Sequence, residues 1–181
     1  MGIKKQSEIK KDIAGLKKEG DDASENLEVL AKFAERTKAA FEELKGSATE
    51  EGDKASERAV LEIQASIERK YKEAEEELQE VEEKLEEKQE DFEGAIAADQ
   101  QDLEKLKPLS KEAKALGSDG AAIEKAEQAK KSEIDFLSDQ TQDIEKTQAE
   151  LEQEAKLSRQ RKENARFKHQ SRNTLGRTEK K

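Results

Sequence analysis

The chain has 181 residues, of which 44% are charged, 31% hydrophobic and 3% aromatic, and its formal net charge is −10. So little apolar material excludes a compact single-core domain of this length and leaves a disordered chain, or long helices that bury only a narrow seam. Cysteine is absent, which excludes a disulfide framework, Cys-ligated zinc and a thiol nucleophile.

Residues 1–20 open without an apolar run, so no Sec-type signal is expected. Nowhere does the sequence approach the roughly 20 apolar residues that span a bilayer. The chain is therefore expected in the cytoplasm, or exported without a Sec signal. Ile3, Ile9, Ile13 and Leu16 stand among six lysines, making a short basic amphipathic segment. Such a segment suits a membrane surface or the chain's own bundle; Glu8, Asp12 and Glu19 dilute its charge and favour the bundle. Gly20-Asp21-Asp22 reads as a break.

Residues 21–46 form the N-terminal helix. Ser24 or Asp22 caps it, Leu27, Leu30, Ala34, Thr37, Phe41 and Leu44 share one face, and Gly46 ends it. Ser47-Ala48-Thr49-Glu50 then has the form of a capping box, although Gly52 and Asp53 move the expected start toward Asp53. The long helix over 47–107 carries Val60, Ile63, Ile67, Tyr71, Ala74, Leu78, Val81, Leu85 and Phe92. Steps of four and three make this a coiled-coil seam, with a stutter at 63–67–71. A disordered polyampholyte has no reason to keep one stripe over fifty positions, and the period decides for helix. Gly94, inside this helix beside alanines, marks either a close neighbour or a flexible point.

Pro108 is expected to end the second helix and 108–120 to form the hairpin tip, with Leu109 to Leu116 able to make about two turns of helix. A third helix over 121–167 resumes the seam at Ile134, Leu137, Thr141, Ile144, Gln148 and Leu151. Arms of nearly equal length around one turn imply an antiparallel hairpin folded about residue 113, a rod of roughly 75 Å. That fold sets Phe92 near Ile134, Leu85 near Thr141 and Leu78 near Gln148. Around Ala59-Val60-Leu61 and Ile63 the apolar arc widens, enough to receive the shorter N-terminal helix. The expected fold is all-α: an elongated antiparallel coiled-coil hairpin with a three-helix base narrowing to a two-helix tip. A dimer of the same seams is the alternative.

Between Lys156 and Lys181 ten basic residues face only Glu163 and Glu179. This basic end, with a frayed tail over 168–181, is the main functional candidate. Arg159, Arg161, Lys162, Arg166, Phe167, Lys168 and Arg172 are its expected partner-binding residues. Cations there suit an acidic protein surface, nucleic acid or an anionic membrane, with Phe167 and His169 able to stack on bases. The acidic run from Glu75 to Glu90 reads as a solvated face. It lacks the Glu-x-x-His pairs of helical metal sites, because the single histidine, His169, follows Arg166. No catalytic set, cofactor, metal or small-molecule substrate is expected.

Tyr71-x-x-x-Glu75 has the form of a type VII secretion signal, but its companion Trp-x-Gly turn is missing. No family is identified. The expected function is a non-catalytic coiled-coil scaffold, adaptor or secretion-associated protein that binds other proteins. One alternative is an assembly protein docking through its basic C-terminus, in the style of phage capsid scaffolding. Another is nucleic-acid or membrane-surface binding by the tail.

Overall fold

Residues 2–46, 49–117 and 120–166 are described by a computed structural model. They form three helices, α1 (Ile3–Leu44), α2 (Glu50–Ala115) and α3 (Ala121–Asn164), with no strand among them. The protein is an all-α three-helix bundle. No helix among the described residues is long and apolar enough to cross a membrane.

α1 is unbroken, and the division expected at Gly20-Asp21-Asp22 does not occur. Its buried positions run Ile13, Leu16, Gly20, Ala23, Leu27, Ala31, Ala34, a four-and-three rhythm that passes straight through the glycine. The third helix is therefore not the shorter element over 21–46; residues 3–20 belong to it. α1 stops where expected, at Gly46, whose φ of 102° is one that glycine adopts without strain.

Ser47 lies outside the described residues. The cap is supplied by Thr49, whose Oγ1 accepts the Gly52 amide at 3.1 Å. α2 then continues through Pro108 to Ala115, correcting the expected stop. Proline removes one backbone bond without forbidding the next turns. Beyond it, Lys114 ties the end of α2 to α3 through Glu124 at 2.8 Å. The turn is reached at Gly117, with φ of 69°. Moving the stop moves the register: Asp99 meets Lys130 and Gln89 meets Glu145, pairs centred near 115–117, not 113.

Two compact units divide the bundle, and each helix contributes to both. The first holds Met1–Glu25 and Ala74–Glu154. Here Asp12 lies 3.6 Å from Lys88, and Glu19 4.0 Å from Lys84, so α1 and α2 run antiparallel. Ser24 donates to Glu154 at 2.6 Å, Lys17 reaches Glu150 at 3.9 Å, and Lys10 lies over the Phe136 ring. The N-terminal segment thus docks on its own bundle, and beyond its start α2 and α3 run on as a pair from Asp99 and Lys130 to Lys114 and Glu124, the expected two-helix tip. Leu78, Val81, Leu85, Leu137, Ile144 and Leu151 form the core. Gln140 and Thr147, not Thr141 and Gln148, are the most buried polar seam residues. A Cβ at Gly94 would meet nothing within 4 Å, which rules out a close neighbour there.

The second unit holds Asn26–Glu73 and the chain from Ala155 onward. Its seam on α2 is Val60, Gln64, Ile67 and Tyr71, in steps of four, three and four, so the stutter expected at 63–67–71 is absent. Ile63 and Leu61 do not widen the core; they are 38% and 41% exposed. Leu44 is exposed as well.

Candidate functional site

Along the last turns of α3 and just past its end, Ser158, Lys162 and Ala165 occupy successive inward positions. This spacing decides the fate of the basic end. Lys162 points into the second unit, where its Nζ lies 2.9 Å from Glu68 Oε2 and 4.2 Å from the centroid of the Tyr71 ring. Its side chain is 11% exposed. A cation held between a carboxylate and a ring face is satisfied inside the fold, and little of the Lys162 side chain is left exposed.

Arg161 reaches back to α1, with Nη1 3.6 Å from Glu28 Oε1. The Glu28 carboxyl is held below its ordinary range, first by its hydrogen bond to Lys32 at 2.7 Å and secondarily by Arg161. Lys38 of α1 donates to the Asn164 carbonyl at 2.9 Å, placing positive charge at the C-terminal end of the α3 dipole. Arg159 and Arg166 remain on the surface; Arg166 lies 3.9 Å from Glu163. Phe167, Lys168 and Arg172, with His169, lie outside the described residues. Four of the seven expected residues are therefore placed, and two of them bind α1 and α2 of their own unit.

Beside Arg166 opens a shallow cleft that the sequence reading missed. Ala34, Ile67 and Ala165 form its buried floor. Leu61 and Ala65 line one side, and Glu68 and Arg166 place opposite charges on the rim. The only sequence signal for it was the apolar excess around Leu61, which had been assigned to the core. Elsewhere on this unit Val29, Phe33 and Leu157 are 44–54% exposed.

The first unit offers a different chemistry. A groove along Lys11, Leu16, Lys84 and Lys88 is crossed by the Asp12–Lys88 and Glu19–Lys84 pairs, so its charges neutralise one another. Between α2 and α3, Lys130 sits 2.6 Å from Asp99 and 3.1 Å from Asp102. It is held above the usual lysine range by its hydrogen bonds to Asp99 and then Asp102. Among the described residues no group of three or more His, Asp or Glu side chains is arranged to hold a metal ion.

The class these features define is a three-helix bundle with heptad-spaced seams and a charged exterior. Compared with protein families, curated proteins and solved structures, the chain matches none.

Proposed function

We propose that this protein is a non-catalytic helical adaptor that binds other proteins, and that the cleft beside Leu61 is a docking site. The observation that carries this reading is the pairing of an exposed leucine over an apolar floor with a rim of opposite charge. Protein interfaces have this anatomy, an apolar centre ringed by polar groups. A helix of the partner would seat an apolar side chain on Ala34 and Ile67 and set its direction by charge against Glu68 and Arg166. One histidine and no cysteine support a role without chemistry.

The charge excess from Lys156 onward supports a second reading, in which the basic tail docks on an acidic protein, nucleic acid or an anionic membrane. One experiment separates the two. Bound material would be captured from the source cell by the full chain, by Leu61→Glu, and by a chain ending at Arg166, which keeps every described helix. Loss with Leu61→Glu alone supports the cleft. Loss with the shortened chain alone assigns binding to the tail, and nuclease and salt then tell nucleic acid from protein. Retention by both variants would sink both readings.

A further inference from the structure

α1 carries a second apolar stripe that its own bundle does not use. At 100° per residue, Val29, Phe33, Ala40 and Leu44 fall within an arc of about 60°, centred about 130° from the buried line of Leu27, Ala31 and Ala34. All four are exposed, Val29 and Leu44 by more than half. Their steps of four, seven and four keep to one heptad stripe, with Arg36 at the intermediate position. Phe33 is the large side chain at its centre, 44% exposed, with the Arg36 guanidinium 6.0 Å from the ring.

We propose that this stripe pairs, antiparallel, with the same stripe of a second copy. The flanking charges select the occupant. Lys32 and Glu43 lie on the same flank of the stripe, one toward each end, about 20° apart around the helix. In an antiparallel helix pair like flanks face each other, so a two-fold axis near residues 37 and 38 brings Lys32 of each copy beside Glu43 of the other. The same axis seats Phe33 between Ala40 and Leu44 of the opposite helix. Apolar and charged registers thus coincide, which is the condition for an isologous interface. A parallel pair would instead set Lys32 against the flank of Leu30 and Thr37, which bears no charge. The Lys32–Glu28 pair within one chain leaves both side chains about half exposed, a weak contact that the new one can replace.

Four helical turns cover less than the ~800 Å² per partner of a standard interface, so the dimer depends on concentration. This inference goes beyond the adaptor reading and stands or falls separately, since it concerns mass and not capture of another protein.

The test is sedimentation equilibrium of the full chain at low salt, from micromolar to near-millimolar. The mass is expected to rise from 20.4 kDa toward twice that value. Phe33→Glu and the milder Phe33→Gln hold it at the monomer, with circular dichroism reporting that each variant remains helical. Lys32→Glu and Glu43→Lys each weaken association about tenfold, and the two together restore it to within a few-fold of the parent. A constant 20.4 kDa overturns the proposal. So does association that survives both Phe33 variants, or a double variant as weak as the singles.

Discussion

Gly20 of α1 lies against Leu151 of α3 so closely that a Cβ on the glycine would come 2.7 Å from Leu151 Cδ1 and 3.4 Å from Val81 Cγ1. Leu151 is 1% exposed and has no room to retreat. Replacing glycine by alanine in a helix ordinarily stabilises it by about 1 kcal/mol, whereas forcing a methyl into a filled core costs about 1–3 kcal/mol. At this position the clash wins. Gly20→Ala is expected to lower the stability by about 1 kcal/mol in urea denaturation, with an unchanged m-value. Gly94→Ala, where the new methyl meets open space, should raise it by about 0.5–1 kcal/mol. Equal gains at both sites would show that α1 does not approach α3 at Gly20.

That contrast also shows why parts of the fold were legible in the sequence and others were not. The seams of α2 and α3 could be read because a four-and-three period has no other cause. Gly20 has the look of punctuation because glycine serves turns and close approaches alike; its place between Leu16 and Ala23 on the same period is what marks it as a close approach. Pro108 misled for a related reason. Its cost is one hydrogen bond and a steric clash, which two further turns and the Lys114–Glu124 pair outweigh, so the turn and the register moved by several residues. Gln140 beside Thr141, and Thr147 beside Gln148, are adjacent polar positions that composition does not distinguish. At the basic end, charge was visible but its use was not. The partner of Lys162 is Glu68, 94 residues away, and only the packed helices bring them together.

Asp99 is 6% exposed, with Oδ1 on Lys130 at 2.6 Å and Oδ2 buried without a hydrogen-bond partner among the described residues. Removing the cation strands a buried carboxylate, whereas replacing the carboxylate by an apolar group extends the seam. Lys130→Met should therefore lower the melting temperature clearly, and Asp99→Leu should leave it unchanged or raise it. The double variant should return close to the parent, since Met and Leu then face each other across α2 and α3. A double variant as unstable as Lys130→Met alone would refute this account of the pair.

Lys162 lies on the last turn of α3 and Arg166 two residues past its end, and the two are expected to behave differently. The first is nearly buried over Tyr71, while the side chain of the second is 65% exposed beside Glu163. Glu68 is itself 53% exposed, so its ion pair adds little and the ring contact with its packing dominates. Lys162→Ala should cost about 1–2 kcal/mol, and Arg166→Ala less than about 0.5 kcal/mol, both by thermal or urea unfolding. Comparable losses would mean that α3 does not turn Lys162 inward.

The Lys130 cluster also sets a pH dependence whose sign follows from its shifts. Asp102 is held below its ordinary value of 3.8, chiefly by the hydrogen bond from Lys130. Its contribution is present above that value and is lost as pH falls through the lowered one. Lys130 is held above its ordinary 10.5 by Asp99 and Asp102, so its contribution is complete below 10.5 and is lost as pH rises past it. In Lys130→Met the share that each group draws from the other is missing at every pH, while Lys105 still lowers Asp102. The stability gap between parent and variant should accordingly be widest between about pH 5 and 10 and narrow on either side. Taking the gap, not the absolute melting temperature, cancels the titration of the many other carboxylates. The Lys114–Glu124 pair has shifts of the same directions but is exposed on both sides, so Lys114→Met should show a smaller gap of the same shape. Melts at low salt from pH 2.5 to 11 measure both; a gap for Lys130→Met that stays level below pH 4 would remove Asp102 from the cluster's energetics.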